Sequence, residues 1–402
     1  MGKISTDKKK IKELLERGVA EVIERKSLEQ RLCSGKQLRV KLGIDPTSPN
    51  LHLGRSIPLL KLGDFQKLGH RAVFIVGDFT ATIGDTSDKE SERPMLTPQQ
   101  VKSNLKTYLQ QASKIIDLAQ AEVHHNSEWL GKLNYAEIGE QADQFSLAEF
   151  MARENISKRY KSGKRISLRE ILYPLMQGYD SVRVKADVEL GGTDQRFNLL
   201  SGRALQQYYK QQPQDLLMNN LIEGTDGRKM SSSWGNTINL TDTAGDMFGR
   251  VMSLRDEAII NYFIHCTRVP LEEVKRHESQ LKKGANPRDI KLILAASIVA
   301  VYFNKSEASK QHRNFINQFS NKMAPDDIQE VRILSPEKTI ISVLVKAGLT
   351  TSNSEARRKI EEGAVYINDE KVKDFKRSID SGDIVRLGRK FRRVSFGRTK
   401  LK

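Results

Sequence analysis

The chain has 402 residues, 38% of them apolar and 29% charged, a net charge of +17 and two cysteines, Cys33 and Cys266. That length supports two or three domains and excludes a small binding module, and no apolar run reaches the roughly 18–20 residues of a membrane span. Two cysteines without a CxxC spacing support neither a disulfide framework nor a cysteine-rich zinc site, so a soluble protein of the reducing cytoplasm is expected.

The N-terminal stretch lacks the apolar core of a signal peptide and holds more glutamates than a transit peptide. Ile11, Leu14, Leu15, Val19, Val22 and Ile23 predict an amphipathic helix there. LRVKLGID (38–45) reads as a buried strand, LGRSIPLLKLGDFQKLG (53–69) as a helix, RAVFIVGD (71–78) as a second buried strand, and VKSNLKTYLQQASKIID (101–117) as a second long helix. Pro58 removes the N–H that would reach the Gly54 carbonyl, which predicts a local kink. Strand and helix in alternation predict a parallel sheet with helices on both faces. Ligands of such sheets bind at the carboxyl ends of the strands, where the loops 45–50 and 77–88 fall. Residues 145–209 read as mostly helical, interrupted by DVELGGTDQ (187–195), and 242–321 as helical again. The polar segment 320–338, with two prolines, is the predicted linker.

Charge is uneven along the chain. Residues 331–402 hold 18 Lys plus Arg against 9 Asp plus Glu, hence +9 of the +17. A basic tail is one account of this. Helical spacing at Ile341, Leu344, Val345, Ala356 and Ile360, followed by strand-like VYIN and IVRL, favours instead a compact module for a polyanion such as nucleic acid.

Three polar, glycine-containing segments carry candidate chemistry. In DPTSPNLHLG (45–54) a helix mouth offers free N–H groups to a phosphate, His52 adds a donor, and Gly54 admits a close approach to the backbone. Taken alone, a histidine at a helix start is more often a cap or a packed surface residue. LGGTDQ (190–195) sets a carboxylate beside two glycines, as a ribose diol requires, although a tight turn explains it more simply. EGTDGRKMSSSWGNT (223–237) brings cations and hydroxyls onto a loop able to close over a polyphosphate. An ordinary loop with a chance lysine accounts for it equally well.

Together and in this order the segments resemble the class I aminoacyl-tRNA synthetases, HLGR being similar to HIGH and KMSSS to KMSKS. LGGTDQ and YPLMQGYDSV (173–182) narrow the resemblance to tyrosyl-tRNA synthetases, in a bacterial branch that also shows KLGIDPT and GDFTATIGD. The C-terminal residues resemble an S4 RNA-binding domain. The fold this implies is α/β: an N-terminal helical segment (1–36), a Rossmann-like doubly wound parallel-sheet catalytic domain (37–236) that includes dimer-contact helices, an α-helical anticodon-side domain (237–325) and a small α+β S4-like RNA-binding domain (338–402).

The resemblance also implies an activity: ATP, as its Mg2+ complex, and tyrosine give tyrosyl-adenylate and pyrophosphate, and tyrosine then passes to the 3′ end of tRNA(Tyr). Neither a covalent enzyme intermediate nor a tightly bound protein-ligated metal is implied. His52 and Arg55 match the phosphate-facing signature histidines, Thr47 the γ-phosphate position, and Asp45 a position near the α-phosphate and the substrate ammonium. Gly54 and Ser232 fall in the ATP-binding motifs, Gly192 and Asp194 match ribose contacts, and Lys229 matches the loop lysine that stabilises departing pyrophosphate. Asp85, Tyr173 and Gln177 match an ammonium cage, and Gln195 a carboxylate contact. Asp180 matches the phenol reader, a buried acceptor that phenylalanine would leave unpaired. RNA phosphates are expected to meet Arg357, Arg358 and Lys359 on a helix and Arg389, Lys390, Arg392 and Arg393 near a strand end. Family members are homodimers.

Three positions depart from the pattern. Arg55 replaces the second histidine of HIGH, and Ser232 replaces the second lysine of KMSKS, with Arg228 as a possible substitute charge. Lys41 and Leu42 stand where another branch has Tyr and Cys, which leaves the second phenol contact unassigned. A pseudo-enzyme that only binds RNA, a tryptophan-activating relative, and an adenylating enzyme with another acceptor stay open as alternatives.

Overall fold

The protein is described by a computed structural model covering residues 4–87, 95–319, 328–333, 338–368, 370–388 and 390–397. Two compact units divide it, Met1–Ala308 and Ser309–Lys402.

In the first unit six strands form one sheet: β1 (Val19–Ile23), β2 (Arg39–Ile44), β3 (Arg71–Val76), β4 (Glu122–His125), β5 (Val188–Gly192) and β6 (Asp215–Asn219). Their order is β1-β6-β5-β2-β3-β4, parallel from β6 through β4, with β1 antiparallel at the edge. Apolar runs such as AVFIV in β3 are buried on both faces, as a covered parallel sheet requires. From β2 the chain steps outward to β3 and β4, then crosses back to β5 and β6. The order therefore reverses between β2 and β5, where ligands of open α/β sheets bind.

The helices Leu168–Arg183 and Arg196–Tyr208 pack on the sheet and on each other. Gly178 permits their close approach, since a Cβ there would stand 3.0 Å from the Ser201 carbonyl oxygen. A helical layer from Ala244 to Tyr302 follows, anchored to the sheet domain where the buried Ser56 and Tyr302 hydroxyls meet at 2.6 Å. No described helix is long and apolar enough to cross a membrane.

The second unit holds the helices Ile340–Lys346 and Asn353–Glu361 against a five-stranded sheet of β7 (Glu330–Ile333), β8 (Val365–Ile367), β9 (Glu370–Lys371), β10 (Ile384–Leu387) and β11 (Lys390–Phe396). Its core joins Ile340, Val343 and Leu344 to Val365, Val385 and Val394.

Three expectations are corrected. The N-terminal helix spans only Lys8–Glu16. Gly18 at φ +62° ends it, and β-branched Val19, Val22 and Ile23 join β1, pairing with β6. The long helix expected over 101–117 is two short ones, Pro98–Leu105 and Tyr108–Ala112. The break lets Tyr108 and Gln111 turn toward the loop after β2, an override of local helix preference by tertiary hydrogen bonds. Part of the expected linker, 330–333, is β7, paired in parallel with β11.

Candidate active site

The loop after β2 opens the site. Its turn is set by the Thr47 amide donating to the Asp45 carbonyl at 2.8 Å. Asn104 holds the Pro46 carbonyl, and Gln111 holds both the Leu51 amide and the Pro49 carbonyl. Across this loop lies Arg55, donating to the Asp45 carbonyl at 3.3 Å, the Thr47 hydroxyl at 2.7 Å and the Tyr108 hydroxyl at 3.0 Å. The guanidinium thus braces the segment that carries Asp45 and Thr47.

His52 caps the helix Leu53–Lys67, its Nδ1 accepting the Arg55 amide at 3.4 Å. Burial, then the charges of Arg55 and Lys229, hold its ring down at about 3, so it is neutral at pH 7. With Nδ1 as acceptor the proton resides on Nε2, which remains a donor. The cap and the donor are therefore two functions of one ring. A Cβ on Gly54 would crowd that ring at 3.2 Å.

Asp45 is the hub of the next layer. One carboxylate oxygen accepts from Thr80 at 2.7 Å and the other from Tyr173 at 2.9 Å. Burial pushes its carboxyl up to about 6, against the pull of these two hydrogen bonds. Gly77, at the end of β3, leaves room for it, because a Cβ there would lie 2.0 Å from Asp45 Oδ1. From Thr80 the chain of bonds runs to Asn126 at 2.9 Å and from Asn126 to Asp180 at 3.2 Å. Asp180 also accepts from the Trp129 indole at 2.8 Å and is 3% exposed. Burial raises its carboxyl to about 7, with Lys41 the strongest counterweight.

The three expected ammonium ligands are each anchored separately. Tyr173 donates to Asp45, Gln177 donates to Glu189 at 3.2 Å, and Asp85 accepts from Gln195 at 2.7 Å. Gln195 and Asp194 belong to the 3-10 turn Thr193–Gln195 that directly follows β5. At Gly192 a Cβ would meet Asp194 Oδ1 at 2.5 Å, so a larger residue there would push that carboxylate from its place.

Opposite stands the 223–237 loop. Asn236 ties it together, accepting from the Ser231 amide at 2.9 Å and donating to Asp226 at 2.7 Å. Buried Met230 pins it to the helix mouth, its sulfur accepting the Gly54 amide at 3.3 Å. Lys229 reaches Asp194 at 3.1 Å, and the Ser232 hydroxyl lies 3.4 Å from that of Ser48. Arg228 instead pairs with Asp226 and covers Trp234 at 4.7 Å on the exposed side of the loop.

Sequence reasoning missed Thr80, Tyr108, Gln111, Asn126, Trp129 and Glu189. Thr80 lies inside the GDFTATIGD motif, and Glu189 is a charge inside an apolar strand run, as is Lys41; both were signals. Asn126 and Trp129 follow β4 with no local mark. Among the described residues no group of three His, Cys, Asp or Glu side chains is placed to hold a metal ion.

In the second unit Arg357, Arg358 and Lys359 lie on the helix Asn353–Glu361, where Glu362 pairs with Lys359 at 2.7 Å and with Arg358 at 3.7 Å. Lys390, Arg392 and Arg393 are on β11, and Arg389 lies outside the described residues. Arg357 lines a cleft of about 680 Å³ with Lys346, Lys376 and Phe375.

Residues 34–321 match the family of class I tRNA synthetases (W and Y), and residues 320–398 match the tyrosine–tRNA ligase SYY-like C-terminal domain. The tyrosine–tRNA ligase of Thermotoga maritima is 44% identical over 392 residues, 96% of this chain and 98% of that one. That of Carboxydothermus hydrogenoformans is 45% identical over 376 residues, 90% of this chain and 91% of that one. Among solved structures, a truncated Aspergillus nidulans mitochondrial tyrosyl-tRNA synthetase superposes with a TM-score of 0.65 at 20% identity, covering 77% of this chain and 94% of that one. The Archaeoglobus fulgidus tyrosyl-tRNA synthetase complexed with L-tyrosine gives 0.61 at 20% identity, covering 76% and 99%. Fold, ordered motifs and near full-length identity agree: the chain belongs to the class I aminoacyl-tRNA synthetases, in their tyrosyl-tRNA synthetase family.

Proposed function

We propose that the chain joins tyrosine to tRNA(Tyr) in two steps, adenylate formation with ATP and transfer to the tRNA 3′ end, in the cytoplasm. The observation that carries the amino-acid choice is Asp180, a buried carboxylate fixed by Trp129 and Asn126 from the segment after β4. Ionised, it accepts the phenol hydroxyl; phenylalanine would leave it buried and unpaired. Asp85, Tyr173 and Gln177 receive the ammonium, and Gln195 orients the carboxylate that attacks the α-phosphorus.

ATP enters with magnesium on its phosphates as part of the substrate. Gly192 and Asp194 take the ribose, Gly54 the flat edge of the nucleotide, and Asp45 the α-phosphate side. His52 Nε2–H, Thr47 and Lys229 stabilise the charge that develops as pyrophosphate leaves, with Ser232 donating from the loop. Arg55 adds a fixed cation and holds Thr47 in place. No general base is needed, since the nucleophile is already a carboxylate.

Phosphates of the RNA would lie along Arg357, Arg358, Lys359 and the cluster Arg389, Lys390, Arg392 and Arg393, so tRNA binding should weaken steeply with salt. Residues 237–325 would form the anticodon-side helical domain and 338–402 the RNA-binding domain. Tyr135, Leu147, Tyr160 and Leu168, all exposed in the helical middle of the first unit, support a homodimer contact there.

Tyrosine-dependent ATP–pyrophosphate exchange without tRNA tests the reading, with phenylalanine and tryptophan in parallel. Exchange with tyrosine alone is the expected result. Exchange with tryptophan would reassign Asp180, and none with any of the three, on folded protein, would leave an RNA-binding protein.

A further inference from the structure

Lys41 sits in the middle of the central strand β2 with its side chain fully buried. An ammonium has three protons, and here each finds an acceptor at 2.8 Å: the Gln177 carbonyl, the Ser181 hydroxyl and Glu189 Oε1 on β5. Glu189 is equally enclosed, its second oxygen accepting from Ser181 at 3.0 Å and from Gln214. A buried ion pair is poor evidence of stability, since apolar residues of similar volume often serve as well or better. The pair calls for another account.

That account lies in what Lys41 grips. Gln177 and Ser181 are one helical turn apart and bracket Asp180. All three protons are used on protein groups, so the ammonium has none for a substrate hydroxyl. It acts on the carboxylate next to it.

We propose that the Lys41–Glu189 pair is the positioning device for the phenol reader, Lys41 holding the turn that presents Asp180 and supplying the charge that makes it an acceptor for the tyrosine hydroxyl. This rests on Asp180 reading the phenol. The charged and titratable groups around Asp180 are Lys41 from β2, Glu189 from β5, Tyr173 on its own helix, Asp45 through Thr80 and Asn126, and His124 of β4, whose ring lies tilted against that of Trp129. Lys41 and Glu189 act in opposite senses: the cation favours the ionised carboxylate and the anion disfavours it.

Opposite senses make the test. Tyrosine kcat/KM falls toward acid as Asp180 takes up its proton, and division by the phenylalanine value cancels Asp45, which meets both amino acids alike. Lys41→Met should move this acid limb to higher pH by about one unit, roughly a fivefold loss of tyrosine-over-phenylalanine preference at neutral pH. Glu189→Gln should move it to lower pH. A pair that only supported the helix would lower activity in both variants without moving the limb, or would move it the same way in both; either result overturns the proposal. If Lys41→Met does not fold, the comparison shifts to Glu189→Gln against Lys41→Met/Glu189→Gln. The double variant's limb should then lie at higher pH, and coincident limbs would overturn the proposal. Asp180→Asn is the control for the underlying reading: should it keep both the limb and the preference, the phenol assignment itself fails, whatever the Lys41 variants do.

Discussion

Asp180 and Lys229 are both proposed to meet substrate, and their settings differ in nearly every respect. Asp180 is 3% exposed, on a 16-residue helix, and two side chains from the segment after β4 donate to it. Lys229 keeps 32% of its side chain exposed, on a loop whose next turn, Ser232–Trp234, lies in solvent. A group that must tell a hydroxyl from a hydrogen has to be fixed before the substrate arrives. A group that stabilises a leaving pyrophosphate gains from reaching full contact only as charge develops. On the proposed roles, the rigid Asp180 setting suits selection, and the loop suits the chemical step.

Substitutions can break that division. Lys229→Ala should cost the most, about 10²–10³-fold in kcat for pyrophosphate exchange, with the KM for tyrosine nearly unchanged. A rise in tyrosine KM would place the lysine in substrate binding. Asp180→Asn should lose about a hundredfold in kcat/KM for tyrosine, the scale of one hydrogen bond to a charged group, while the ATP KM holds. If the ATP KM moves as far as the tyrosine value, the two settings are not separable.

Finer substitutions sharpen the contrast. Arg55→Ala should slow activation about tenfold, since it removes both a cation and the brace on Thr47, and Arg55→His should preserve much of the rate. Full activity of the alanine variant in pre-steady-state adenylate formation would remove Arg55 from the site. Arg228→Ala should change exchange by no more than about twofold, because its guanidinium is engaged with Asp226 on the exposed side of the loop. A loss matching that of Lys229→Ala would make Arg228 the stand-in for the lysine that Ser232 replaces.

How much of this was readable from the sequence follows the same division. What is marked locally could be read: the apolar strands β2 and β3 directly, and the helix mouth at His52, the glycines beside Asp194 and the lysine loop only through the resemblance that their order carries. What could not be read depends on distance along the chain. Asn126 and Trp129 come together with Asp180 across more than 50 residues, and nothing near them in sequence marks the meeting. Val19, Val22 and Ile23 fit a helical stripe and a strand alike, and only pairing with β6, far along the chain, decides between them. The break at Thr107 has the same cause, since the helix yields to hydrogen bonds with the loop after β2.

The 3.1 Å bond between Lys229 and Asp194 has a further consequence. The lysine proposed for the phosphates rests on the carboxylate proposed for the ribose, so on that reading the protein is its own competitor for the nucleotide site. On the proposed roles, a ribose diol that took the Asp194 oxygen held by Lys229 would displace the ammonium, weakening ATP binding in the ground state and releasing the cation toward the phosphates. Sugar recognition and delivery of charge become one exchange of partners, and a nucleotide without its ribose hydroxyls would leave Lys229 where it is.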